Sequence, residues 1–95
     1  MRKIEKEMLA AVEQVRNYAN GNTTVRVAEN EVRVYLHSTL IYKDTPDGRF
    51  FTLAGWNTPT TRSRLKALGI DVRQKNFAAV YDGVEISSNE WVKVL

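Results

Sequence analysis

The chain has 95 residues, the length of one small domain, since single domains run from roughly 50 to 250 residues. Hydrophobic residues make up 43% and charged residues 26%, so the chain is too apolar to be intrinsically disordered. No apolar run approaches the ~20 residues of a membrane-spanning helix. Cysteine is absent and His37 is the only histidine, which excludes disulfides, thiolate zinc sites and multi-histidine metal sites. We therefore expect one soluble domain over residues 1–95, with no metal ion or cofactor.

The positive charge is concentrated in one segment. The net charge of the whole chain is +3, yet residues 62–75 carry +4, because five cations there face a single acid, Asp71. The cations are Arg62, Arg64, Lys66, Arg73 and Lys75. Such local charge attracts a polyanion or an acidic protein surface, although a solvated helix face gives the same pattern.

The N-terminal third begins with an amphipathic helix, predicted over residues 3–19. Apolar residues recur there at spacings of three, four, seven and eight, which places them on one stripe of a helix. Asn20-Gly21 is expected to end it, since glycine accepts the left-handed conformation. The stripe consists of Ile4, Met8, Ala11, Val12, Val15 and Ala19.

Alternation of apolar and polar residues then predicts an antiparallel meander. Residues 23–28 and 31–37 each alternate and flank a tight turn at Glu29-Asn30, which is typical of a hairpin. Residues 40–43 and 49–53 flank a second turn over residues 44–48, which contains Pro46 and Gly48. We expect four strands in this part of the chain.

A second helix is predicted over residues 59–68. Thr58 is a favourable N-cap, Pro59 suits the first helical position and Gly69 suits the position after the end. Beyond it, residues 70–73, 77–81, 84–86 and 91–95 have strand patterns, and Asp82-Gly83 is a strong hairpin signal. The predicted fold class is α+β, with an N-terminal helix, a β-meander, a second short helix and a C-terminal hairpin.

Catalytic chemistry has few candidate residues. Acid–base and nucleophilic catalysis need a base with a near-neutral pKa beside a nucleophile, and His37 is the one natural base. The five glycines are scattered singly, so no phosphate-binding loop is expected. We predict that the protein is not an enzyme. Tyr35, His37 and Tyr42 offer a further hypothesis, a stacking platform of the kind found on RNA-binding sheets.

The start of the second helix is the strongest candidate for a binding site. Its free backbone N–H groups and partial positive charge suit an anion, and no acid lies in its first turn. Trp56 either stacks on a base or packs in the core. The predicted residues for binding nucleic acid or a partner are Trp56, Thr60, Thr61, Arg62, Arg64, Lys66, Arg73 and Lys75. Neutralisation of about five phosphates predicts a log–log salt slope of roughly −4 on duplex DNA.

The same segment carries a family resemblance. The run from Ala54 to Leu68 resembles one in small accessory proteins of tailed bacteriophages. The Met-Arg-Lys-Ile-Glu-Lys start and the hairpin sequence from Asn22 to His37 are similar as well, so the resemblance covers residues 1–69. It implies a phage accessory protein acting in the cytoplasm of a bacterial host, and it assigns no catalytic residues.

Three functions stay open at this point. The first is nucleic-acid binding through the basic helix N-terminus. The second is inhibition of a host or anti-phage defence factor, as in anti-CRISPR or host-takeover proteins, by docking on an acidic surface. The third is a homo-oligomeric scaffold, such as a homodimer, since the strand at residues 91–95 could pair with a second copy. No membrane partner is expected.

Overall fold

The computed structural model describes all 95 residues and contains two helices and nine strands. The helices are α1 (Lys3–Glu13) and α2 (Pro59–Ala67). The strands are β1 (Tyr18–Asn20), β2 (Thr23–Ala28), β3 (Glu31–Leu36), β4 (Thr39–Thr45), β5 (Gly48–Phe51), β6 (Val72–Lys75), β7 (Ala78–Tyr81), β8 (Val84–Ile86) and β9 (Val92–Lys93). The predicted α+β fold class is confirmed.

The strands form two antiparallel sheets. The larger has the order β1-β2-β3-β4-β5-β9, and the smaller has the order β6-β7-β8. The predicted hairpins are present, and Asp82 and Gly83 have φ values of 53° and 76°, as the β7–β8 turn requires. The strand predicted over residues 91–95 is present at the sheet edge but is limited to Val92–Lys93, where Val92 pairs with Phe51 of β5.

One face of the six-stranded sheet forms the core. Val25, Val34, Tyr42 and Phe51 are paired across β2 to β5, and each is at most 1% exposed. Met8 of α1 and Leu65 of α2, among other residues, join them in one buried cluster. Both helices therefore pack against this face. Because Tyr42 is in the core, it cannot join Tyr35 and His37 in a stacking platform.

The ends of α2 follow the predicted capping pattern. The Oγ1 atom of Thr58 accepts a hydrogen bond from the backbone N–H of Thr61 at 3.2 Å, and Pro59 occupies the first helical position. At the other end Gly69 has a φ of 86°, and the N–H of Ile70 donates to the carbonyl of Leu65 at 3.0 Å. This is a Schellman ending, so the boundaries of α2 depend on local sequence.

The first helix is shorter than predicted. It ends at Glu13 rather than residue 19, because Val15 adopts a left-handed φ of 53° and the N–H of Arg16 donates to the carbonyl of Ala11. Val15 is 58% exposed, so it does not belong to the buried stripe. The following residues form β1, whose backbone pairs with β2 and extends the sheet by one strand.

The turn between the strands predicted at residues 70–73 and 77–81 lies closer to the C-terminus than expected. Gln74 and Lys75 belong to β6, and the turn falls on Asn76 and Phe77, whose φ values are 52° and 67°. Phe77, predicted to begin a strand, is instead 92% exposed at the tip of this hairpin.

Neither helix has the length and apolar character needed to cross a bilayer.

Candidate functional site

A concave surface lies between α2 and β6. It encloses about 430 Å³ and brings together three of the predicted cations, two from the helix and one from the strand. We call it the basic cleft. It is lined by Pro59, Arg62, Ser63, Lys66, Val72, Arg73 and Gln74.

The charge of the basic cleft is only partly neutralised. The side chains of Lys66 and Arg73 are 64% and 73% exposed, and both contact the carboxylate of Asp71, at 3.8 Å and 2.9 Å. The hydrogen bond from Arg73 holds the pKa of Asp71 below its usual value. Arg62 has no carboxylate partner and donates to the carbonyl of Asn57 at 3.1 Å. Three cations against one carboxylate leave two positive charges free for an anion.

Lys75 extends the same surface along β6. It lies two residues beyond Arg73, so the two side chains project from the same side of the strand. Lys75 is exposed and has no salt bridge. The cationic surface of α2 and β6 thus contains four of the five cations predicted from the sequence.

Arg64 is the fifth cation, and the structure corrects its assignment. The residue is 3% exposed, and its guanidinium donates to Glu5 Oε2 at 2.8 Å and to Thr23 Oγ1 at 3.0 Å. A third hydrogen bond, at 3.3 Å, reaches the side chain of Asn22. All of these partners lie within the protein, so Arg64 joins α2 to α1 and β2 and cannot reach a phosphate.

Glu5 is the counterion that makes this burial possible. Its carboxylate also accepts hydrogen bonds from the Ser63 hydroxyl and from the backbone N–H of Arg2. Burial raises the pKa of Glu5. The hydrogen bonds from Ser63, Arg2 and Arg64, together with the positive charge of Arg64, lower it by a larger amount, so the net shift of the pKa is downward. Glu5 therefore stays ionised at neutral pH and neutralises Arg64.

A second cleft, of about 470 Å³, opens on the other side of the first turn of α2. Trp56 lies at this cleft and is 65% exposed, so it is not part of the core. Thr60 lines the cleft and is half-buried. We call this second cleft the apolar cleft. It is lined by Leu36, His37, Thr39, Ile41, Leu53, Trp56, Thr58, Thr60 and Thr61.

Thr61 also departs from its predicted role. It is 2% exposed, and its hydroxyl lies 2.9 Å from that of Thr58. The hydroxyl therefore belongs to the helix cap, and its burial keeps it from a bound anion. The predicted residues divide into three groups: those at the basic cleft and along β6, those at the apolar cleft, and Arg64 in the buried ion pair.

The sequence carried a signal for the burial of Arg64. Thr61, Arg64, Leu65 and Leu68 follow the helical spacing of three, four and seven, and all four are buried. The floor of the apolar cleft had no such signal, because Leu36, Ile41 and Leu53 come from different strands or loops and meet only in the folded chain.

Comparison with protein families matches the model described as Kyanoviridae Gp96 protein over residues 1–94. The chain belongs to this family. The match confirms the resemblance to phage proteins and extends it beyond residue 69 to nearly the whole chain. Comparisons with curated proteins and with solved structures give no match.

Proposed function

We propose that this phage protein binds nucleic acid without catalysis, by contacting phosphates at the basic cleft. The observation that carries the proposal is the convergence of Arg62, Lys66 and Arg73 on one concave surface. Arginine and lysine side chains are the usual phosphate ligands, and arginine can bind two phosphate oxygens at once. We further propose that it acts as an accessory protein of a tailed phage in the cytoplasm of the host.

The start of α2 supports the same ligand. Pro59 lies at the edge of the basic cleft, at the end of the helix that carries partial positive charge, and no acid occupies the first turn. The charge of the helix end therefore adds to that of the three side chains. A phosphate backbone bound in the basic cleft is attracted both by the helix end and by the three side chains.

The burial of Arg64 reduces the expected number of phosphate contacts. Four cations remain exposed or partly exposed on this surface: Arg62, Lys66, Arg73 and Lys75. Each neutralised phosphate of duplex DNA contributes about −0.9 to the log–log salt slope, so four contacts give an expected slope of about −3.6, one contact fewer than the sequence predicted.

The test compares two variants that lose the same charge at different places. Arg62→Gln/Lys66→Gln removes one arginine and one lysine from the basic cleft, and Lys3→Gln/Arg16→Gln removes one of each from exposed positions outside it. Binding of a labelled 20-base-pair duplex is measured by fluorescence anisotropy from ~50 to ~200 mM salt. The cleft variant should bind at least about tenfold more weakly at ~50 mM salt and lose about 1.8 from the slope.

Equal binding by the two variants would overturn the assignment of phosphate contacts to the basic cleft. The Arg62 guanidinium also donates a hydrogen bond to the Asn57 carbonyl, so weaker binding by the double variant has a second explanation, displacement of the loop that contains Asn57. Lys66→Gln alone provides that check, because the Lys66 side chain is 64% exposed and its one short-range partner is Asp71.

A protein partner is the second candidate function, and Phe77 favours it. Its ring is 92% exposed at the tip of the β6–β7 hairpin, and exposed aromatic residues often anchor protein interfaces. Under this alternative the protein inhibits a host or defence factor. A partner that stays bound after nuclease treatment and is lost on Phe77→Ser supports it, and retention of that partner by Phe77→Ser argues against it.

A further inference from the structure

A row of four cations and one aromatic ring crosses the face of the six-stranded sheet opposite the core. The pairing register places Arg26 opposite Arg33, Arg33 opposite Lys43, Lys43 opposite Phe50, and Phe50 opposite Lys93. We call these five residues the sheet-face row. Each is next in sequence to one of the core-facing residues Val25, Val34, Tyr42, Phe51 and Val92. Because side chains alternate along a strand, the row projects from the face that no helix covers.

Aromatic rings lie between these cations. The Nζ atom of Lys43 is 4.6 Å from the centre of the Trp91 ring and 5.7 Å from that of Phe50, and the Nζ atom of Lys93 is 6.0 Å from Phe50. Trp91 is 41% exposed. Neighbouring strands are about 4.8 Å apart, so the row runs about 19 Å from β2 to β9.

The row is also strongly positive. Its one short-range acidic partner is Glu31, which pairs with Arg33. Arg26, Lys43 and Lys93 have no carboxylate within salt-bridge distance. Three unneutralised cations in a line match an extended anionic polymer better than a single small anion.

We propose that the sheet-face row binds single-stranded nucleic acid, with phosphates on Arg26, Lys43 and Lys93 and a base stacked on Trp91. Exposed aromatic rings beside cations are the combination that binds single strands, because unpaired bases can turn a flat face toward a ring. In a duplex these faces are occupied by neighbouring base pairs. An acidic protein segment matches the charge but gives the ring nothing to stack on.

This proposal rests on the proposed function in one respect, that the ligand is a nucleic acid. It concerns a different surface, however. The basic cleft lies between α2 and β6, and α2 packs on the core face of the sheet, while the sheet-face row lies on the opposite face. Substitutions in one surface therefore leave the other intact, and each can be tested separately.

The first measurement uses the two tryptophans, which lie at different places in the chain. Trp56→Phe leaves Trp91 as the only tryptophan, and Trp91→Phe leaves Trp56 as the only one. Each is titrated with a 12-nucleotide oligo(dT), and with oligo(U) to compare DNA with RNA. Binding at the row should quench the emission of Trp91 and leave that of Trp56 unchanged, because stacking on a base quenches indole fluorescence only in the ring that is contacted. Unchanged Trp91 emission at saturation of the oligonucleotide would overturn the proposal.

The second measurement removes the charge of the row. Arg26→Gln/Lys43→Gln/Lys93→Gln should bind oligo(dT) at least about tenfold more weakly and lose about 2 from the log–log salt slope, while duplex binding stays unchanged. Trp91→Leu should weaken oligo(dT) binding about 5-fold to 100-fold. Circular dichroism and the urea midpoint check that both variants stay folded.

The outcomes separate this proposal from the proposed function. Wild-type affinity of the row variant for oligo(dT) overturns the present proposal and leaves the basic cleft unaffected. Wild-type affinity of Arg62→Gln/Lys66→Gln for duplex overturns the cleft assignment and leaves the row unaffected. If poly-glutamate binds as tightly as oligo(dT) and the Trp91 emission is not quenched, the row is a surface for acidic protein instead.

Discussion

Replacement of Arg64 by methionine tests whether this residue lies in the interior, as in the structure, or on the binding surface, as predicted from the sequence. Arg64→Met keeps an unbranched chain of similar length and removes the positive charge. It leaves the carboxylate of Glu5 buried, at 3% exposure, without its ionic partner. The free energy of unfolding should therefore fall, and the affinity for nucleic acid at the basic cleft should not change.

The expected loss follows from the contacts that remain. Breaking a buried ion pair from one side costs about 3–5 kcal/mol. Glu5 keeps its hydrogen bonds from the Ser63 hydroxyl and the Arg2 backbone, so the lower end of this range, about 3 kcal/mol, applies. In a chain of this size each kcal/mol lowers the Tm by roughly 4–8 °C, so the Tm should fall by about 12–24 °C.

The assay is urea unfolding at pH 7, followed by circular dichroism and analysed by linear extrapolation. Lys66→Met is the matched control, because its side chain is 64% exposed and a change there should stay within about 0.5 kcal/mol. Glu5→Gln/Arg64→Met removes both charges. Since neither partner is then left as an unpaired ion, the double variant should be more stable than the sum of the two single losses predicts, by about 0.5–3 kcal/mol.

Two results would refute the reasoning. If Arg64→Met and Lys66→Met unfold at the same urea concentration, the ion pair does not hold the two helices and β2 together. If Arg64→Met keeps wild-type stability and loses nucleic-acid binding, the guanidinium reaches the ligand, and the sequence-based assignment was right.

Two further predictions concern the same part of the fold. The folded-state pKa of Glu5 lies below its ordinary value of 4.5, so its contribution to stability is full above that value and is lost as the pH falls through the lower folded-state pKa. Stability measured by urea unfolding should therefore drop below about pH 4.5, and less steeply in Glu5→Gln; parallel curves for the two proteins would argue against a lowered pKa. Thr58→Ala should lose about 1 kcal/mol, because the N–H of Thr61 loses its cap, whereas Thr60→Ala, measured in the same way, should stay within about 0.5 kcal/mol. Equal losses in the two threonine variants would contradict the capping role.

Local sequence signals predicted much of the fold. Turn residues such as Asp82-Gly83 and capping residues such as Thr58 and Gly69 act over a few positions, so their effect is readable without the tertiary structure. Strand alternation likewise predicted the hairpin of β2 and β3. The end of α1 was missed, because a left-handed φ at Val15 is rare for a β-branched residue.

The candidate site was harder to predict, because it depends on distant parts of the chain. Arg64 is buried by Glu5, which lies 59 positions away in the sequence. The sheet-face row depends on the register of five strands, so its cations are scattered in the sequence and do not form a basic segment. Counting charges along the sequence therefore predicted the cations of the basic cleft but not those of the sheet-face row.

The salt dependence of binding by the wild-type protein tests the central functional claim most directly. We expect the affinity for duplex DNA to fall with a log–log slope of about −3.6 between ~50 and ~200 mM salt, from four phosphate contacts. An affinity that is unchanged over this range, or no binding at ~50 mM salt, would contradict the claim that the exposed cations of this protein hold a phosphate backbone.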